Sequence, residues 1–253
     1  LTGSTIAGTA IFPNVLTSSC SVGEYAELDK HIIDRCELLP IDYRFARFVG
    51  KNGRIGFHGQ EKNRTALKIY TDQGAMGWGL SQPKAEEFFP LIKGKKVSEL
   101  ITPGVGIAEG FNRLVDFALH DLMGIILNKP VYKLLGGKGP KEVSIYSGMI
   151  YLDELNPGNE TKGLDAVLEN CEWDYNYGYR QLKAKIGRSG RWYEHKEGLE
   201  KDIEVIHKIH ENFQGRNTEI LVDANDMYTL EDSIAFLEGI KGIPLYWFEE
   251  PFV

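Results

Sequence analysis

From residue 143 onward the chain alternates short apolar runs with amphipathic stretches, and this alternation constrains the fold more than any other feature. Val143 to Met149 reads as a strand. Leu164, Val167, Leu168 and Cys171 then share one helix face. Gln181 to Ile186 is a second strand, followed by Leu199, Ile203, Ile206 and Ile209 at helical spacing. Glu219 to Ala224 is a third. Thr229 with Asp232 resembles a capping box ahead of Ile234, Leu237 and Ile240, and Pro244 to Phe248 is the fourth strand. Repeated strand–helix units predict a parallel sheet with helices outside it.

The preceding half has a different texture. Residues 37–80 read as a β-meander, with Arg64 to Tyr70 alternating in character, a turn at Thr71-Asp72-Gln73-Gly74, and a resumed strand from Ala75 to Gly79. Glycines 74, 77 and 79 do not make a phosphate loop, because no helix start follows them. Residues 83–127 are expected to be helical. Phe111, Leu114, Val115, Ala118, Leu122 and Ile125 form one apolar stripe, which Lys129-Pro130 ends.

A formal net charge of −7 argues against a nucleic-acid surface, which requires a basic face. No run of apolar residues is long enough to span a bilayer. Cys20, Cys36 and Cys171 have neither redox nor zinc spacing. Leu1 to Leu16 is uncharged and rich in small residues, the texture of the tail of a twin-arginine-type export signal, so an exported or periplasmic protein is expected, and otherwise a cytoplasmic one. Cys20 is a conceivable lipid-attachment residue. Residues 1–36 are therefore placed outside the fold, 37–142 in a first α+β domain, and 143–253 in four βα units. A strand followed at once by the chain's last residues leads to the expectation that sequence is missing beyond Val253.

In a parallel α/β barrel, chemistry gathers at the C-terminal ends of the strands. The second strand ends Lys183-Ala184-Lys185, and residues two apart share a face. Burying lysines against a helix layer is costly, so both are expected to face the barrel interior. Two neighbouring ammonium groups are expected to lower each other's pKa, one route to a lysine base. The third strand ends Asp223-Ala224-Asn225 and the fourth Trp247-Phe248-Glu249-Glu250-Pro251. Asp223 and Glu249 lie about one βα unit apart and can meet at one hard cation. Oxygen ligands in this number suit Mg²⁺ completed by water and substrate.

Lys-x-Lys, Asp-x-Asn and Glu-Glu-Pro at the ends of consecutive barrel strands resemble the enolase superfamily, in its mandelate racemase and muconate lactonising branch. Asp116-x-Ala118-Leu119-x-Asp121-x-x-Gly124, then Pro130 and Leu134-Leu135-Gly136-Gly137, resembles the junction between that family's capping domain and barrel. The resemblance implies an α/β protein: an enolase-type α+β capping domain followed by the first half of a (β/α) TIM-like barrel. It implies Lys185 as the base, Lys183 as its partner at the substrate carboxylate, Asp223 and Glu249 as Mg²⁺ ligands, and Asn225 and Glu250 just behind them. It further implies abstraction of the proton α to a carboxylate through an enediolate. The substrate would be a small carboxylate, with sugar-acid dehydration favoured over racemisation, epimerisation or cycloisomerisation. A homo-oligomer is expected of the full-length protein. The alternatives from another class are a non-catalytic exported binding protein and an inactive fragment; the presence of all four of these side chains argues against a decayed site.

Other polar residues have plainer roles. His207-x-x-His210 is assigned to a solvent-facing helix, and Asp116, His120 and Asp121 to packing of the first domain. Arg47 and His58 belong to the meander region that in this family reaches over the barrel mouth, with His58 a lesser candidate for substrate contact.

Overall fold

The computed structural model describes residues 22–111 and 113–253. In chain order the elements are α1 (Val22–Asp29), β1 (Ile33–Val49), β2 (Gly59–Thr71), β3 (Met76–Ser81), α2 (Phe89–Ile92), α3 (Val97–Leu100), β4 (Ile101–Thr102) and β5 (Gly106–Ile107). There follow α4 (Arg113–Ile126), α5 (Val131–Leu134), β6 (Tyr146–Ile150), α6 (Asp165–Tyr177), β7 (Gln181–Lys185), α7 (His195–Phe213), β8 (Glu219–Asp223), α8 (Leu230–Gly239) and β9 (Leu245–Glu249). By packing, the chain divides into residues up to Asp42 with Asn63–Pro140, and Tyr43–Lys62 with Lys141–Val253. Among the described residues no helix is long and apolar enough to cross a membrane. The expected signal segment and Cys20 lie outside the described residues.

In the first unit β2 and β3 are antiparallel, with Leu67 opposite Gly79 and Ile69 opposite Gly77. Glycines 77 and 79 are explained by what lies on them. A Cβ on Gly77 would come 2.3 Å from the Leu122 backbone nitrogen, and one on Gly79 2.4 Å from the Phe117 Cβ. Helix α4 thus rests on the bare backbone of β3 and buries Val115, Ala118, Leu119, Leu122 and Met123. Asp121 accepts the Trp78 N–H at 2.9 Å and so serves packing, as expected.

Two expectations for this unit are corrected. Residues before 37 are not all outside the fold: Leu28 and Ile33 are buried, and Asp29 accepts from Ser98 Oγ at 2.9 Å and Lys96 Nζ at 2.7 Å. A helix of eight residues is too short to announce itself by periodicity. Residues 83–127 are not one helical stretch either. Gly94, Gly104, Gly106 and Gly110 all have positive φ, and the chain there makes short turns and the β4–β5 hairpin before α4.

The second unit carries a four-stranded parallel sheet in the order β6-β7-β8-β9, as the alternation predicts. Leu182, Ala184, Ile186, Ile220, Val222, Ala224 and Phe248 share one core with Val205, Ile206, Ile209 and Phe213 of α7 and Phe236 of α8. Helices therefore cover one face, and period-two alternation turns Lys183, Lys185, Leu221, Asp223 and Glu249 to the other. The capping box at Thr229 forms: its hydroxyl accepts the Asp232 N–H at 3.0 Å, and Asp232 accepts the Thr229 N–H at 3.0 Å. Strand β6 starts three residues later than expected. Tyr146 already pairs with Gln181, the first residue of β7, so Val143 to Ile145 have no neighbour on that side and Val143 and Ile145 are exposed.

Candidate active site

Parallel register brings the polar strand ends together. Lys185 pairs with Asp223, and Asp223 with Glu249, across β7, β8 and β9. Lys183 Nζ lies 2.8 and 2.9 Å from the two Glu249 carboxylate oxygens and 3.3 Å from Asp223 Oδ2. Lys185 Nζ donates to Asp223 Oδ2 at 2.5 Å. Lys183, Lys185 and Asp223 are 6%, 7% and 1% exposed, which charged groups sustain only when paired. The pairing alters their proton affinities. Burial opposes the charge on Lys183, but its hydrogen bond to Glu249 and the charges of Asp223 and Glu249 outweigh this and hold its pKa above the ordinary lysine value. Burial likewise opposes ionisation of Asp223, yet Lys185 and the Asn225 N–H bring its pKa below the usual carboxylate value. The expected lowering by lysine–lysine repulsion is thus corrected for Lys183, because its ammonium is paired with the carboxylates of Glu249 and Asp223.

Asn225 and Glu250 sit just past the strand ends. Asn225 donates its N–H to Asp223 Oδ1 at 3.0 Å and its side-chain amide to Glu250 at 3.1 Å. Its Oδ1 is buried with no hydrogen-bond partner among the described residues. Asn225, Asp226 and Glu250 all adopt positive φ, a backbone state that Asn and Asp tolerate best. Among the described residues no cluster of three or more acidic, histidine or cysteine side chains gathers for a metal. Asp223 and Glu249 offer carboxylate oxygens on one face, and Asn225, whose N–H binds Asp223, keeps an unpartnered acceptor. That hard-oxygen set fits a cation that keeps water or substrate in its remaining positions.

Sequence reasoning missed the groups that hold this cluster. Arg188 is fully buried just past β7. It binds Glu154 at 2.8 and 2.9 Å, Asp202 at 2.8 Å and the Lys185 carbonyl at 3.1 Å. Asp202 also accepts the Gly187 and Arg188 N–H groups and the Tyr228 hydroxyl, at 2.9, 3.0 and 2.8 Å. A signal existed: Gly198, Asp202, Val205 and Ile209 form one buried stripe of α7, and an aspartate on an apolar stripe calls for a partner.

Tyr151, one residue past β6, was also missed. Its ring centroid lies 5.6 Å from Lys185 Nζ, and burial and the charge of Asp223 raise its pKa. His58 meets that ring edge-on at 5.0 Å, while its Nδ1 lies 3.0 Å from the Gly50 carbonyl. Arg47 is occupied by Asp174 at 2.7 Å and the Met149 carbonyl at 2.6 Å. His207 is spent on the Gly239 carbonyl at 2.9 Å, in keeping with a structural role. A groove of about 620 Å³ lined by Asn217, Glu219, Pro244 and Tyr246 lies at the opposite, N-terminal ends of the strands and carries no comparable charge cluster.

Residues 166–253 match the family described as enolase C-terminal domain-like. Over those residues the chain is similar to the enolase superfamily. The chain is 33% identical to arabinonate dehydratase of Saccharolobus solfataricus over 137 residues, covering 54% of this chain and 32% of that protein. It is 32% identical over 137 residues to 3,6-anhydro-alpha-L-galactonate cycloisomerase of Streptomyces coelicolor, covering 54% and 33%. Galacturonate dehydratase from Geobacillus sp., solved as a mutant in complex with Mg, superposes with a TM-score of 0.76 at 28% identity, covering 88% of this chain and 59% of that one. The chain thus spans about a third of the length of these curated relatives.

Proposed function

We propose that this enolase-superfamily chain supplies the proton-abstracting residues of a Mg²⁺-dependent sugar-acid dehydratase. The observation that carries this reading is the paired cluster of Lys183, Lys185, Asp223 and Glu249 at three adjacent strand ends. Its support is the likeness to the arabinonate and galacturonate dehydratases.

Asp223 and Glu249 would hold Mg²⁺, with Asn225 and Glu250 bracing them. When bound there, the ion supplies positive charge that offsets the negative charge building on the substrate carboxylate. Lys183, whose raised pKa keeps it an ammonium, holds a carboxylate oxygen of the substrate. Lys185 is the base: the α C–H bond breaks, Nζ takes the proton, and the electron pair passes into the carboxylate as an enediolate. That pair then expels the β-hydroxyl, which takes the proton now on Lys185 Nζ and leaves as water. Arg188 fixes the Lys185 carbonyl and so keeps the amine from drifting.

Cycloisomerisation is the second reading, favoured by the likeness to the Streptomyces protein. Incubating the native protein with arabinonate, galactonate and D-galacturonate in D₂O with Mg²⁺ separates the two. Dehydration yields a keto-deoxy acid, whereas cycloisomerisation rearranges its substrate without loss of water. Lys185→Ala is expected to abolish deuterium uptake at the α-carbon. Undiminished uptake would overturn the assignment of the base.

A further inference from the structure

We propose that Tyr151 contacts the substrate, its phenol donating a hydrogen bond to a hydroxyl oxygen on the carbon chain of a polyhydroxylated acid. The proposal rests on the reading above that this site takes a carboxylate beside Lys185. Three observations carry it.

The first is placement. Lys185 Nζ lies 2.5 Å from Asp223 Oδ2 and 5.6 Å from the centroid of the Tyr151 ring. A carboxylate drawn towards Asp223, Glu249 and Lys183 leaves the rest of its carbon chain to run past Lys185 on the Tyr151 side. The second is that the ring is fixed. The Tyr151 N–H donates to Asp153 Oδ2 at 3.0 Å, and the ring abuts His58 at 5.0 Å. The chain also comes so close that a Cβ on Gly50 would sit 3.2 Å from the Tyr151 Cβ. A group positioned in advance gives up little entropy on binding.

The third is that the hydroxyl is uncommitted. The Tyr193 and Tyr228 hydroxyls are spent on Glu154 and Asp202. The Tyr151 hydroxyl makes no hydrogen bond to another described residue. A half-buried phenol held beside a base, with its donor free, is built to receive an oxygen from outside the protein.

The test compares tartrate with succinate, its counterpart lacking hydroxyls, by calorimetric titration of the native protein in Mg²⁺. Tyr151→Phe keeps the ring contacts, so the unfolding midpoint is expected to hold. Tartrate affinity should fall roughly tenfold, the effect of losing one hydrogen bond, while succinate affinity stays the same. Unchanged tartrate affinity overturns the proposal. So does equal weakening of both ligands, which would mark a collapsed pocket, or a wild-type protein that does not prefer tartrate. Deuterium uptake is read separately: if wild-type protein exchanges no α-proton yet binds tartrate through Tyr151, the chemistry fails while the contact stands.

Discussion

Arg188 shows how much of a site can be carried by a residue that never faces it. Its guanidinium is wholly enclosed with Glu154 and Asp202 around it. Arg188→Ala would leave two carboxylates without their cation, at a cost of roughly 3–5 kcal/mol in unfolding free energy, measurable by urea titration. Asp153 is a second buried acid, without an ion pair among the described residues; burial, countered only in part by hydrogen bonds and the charge of Arg47, pushes its pKa up to about 6. Since that pKa is raised above the unfolded value, the folded state favours the protonated acid. Stability from this group is complete at low pH and lost as pH rises through about 6. The loss should amount to roughly 3 kcal/mol between pH 4 and 8, and Asp153→Asn should flatten that part of the stability profile.

The strands and helices differ in how openly the sequence declares them. Lys183 and Lys185 could be placed on one face because strand alternation is local, and the costs of burial chose which face. The Thr229–Asp232 cap could be read for the same reason, since its partners stand three residues apart. Thr229→Ala should lower stability by about 1 kcal/mol in thermal unfolding. By contrast, the Arg188–Glu154 pair joins residues 34 apart, and nothing in either neighbourhood names the other. Glycines 77 and 79 stood out in the sequence, but their reason lies in α4, some forty residues further on. Gly77→Ala should force α4 off β3, with a loss of stability well beyond the roughly 1 kcal/mol of an ordinary backbone change, visible as a lowered midpoint of thermal unfolding.

At the scale of the whole molecule, the division into an α+β unit and a parallel βα unit followed from the change in hydrophobic period near residue 143. The hairpin tip at Tyr43–Lys62, which packs with the second unit, carried no such sign: its assignment depends on contacts such as Trp192 Nε1 to the Asn52 carbonyl at 2.6 Å. Binding of a dication to the folded state alone must raise overall stability. At a Mg²⁺ concentration a hundred times Kd the gain is about 2.7 kcal/mol. Differential scanning calorimetry of the native protein should show this rise, EDTA should reverse it, and Asp223→Asn should remove it.

The two lysines and two carboxylates at the strand tips are already balanced, one positive charge for each negative. Anionic ligands crowded this closely would otherwise repel one another and pry the sheet edge apart. Here each carboxylate meets a lysine as its counterion, so the strand tips can assemble without help from any added cation.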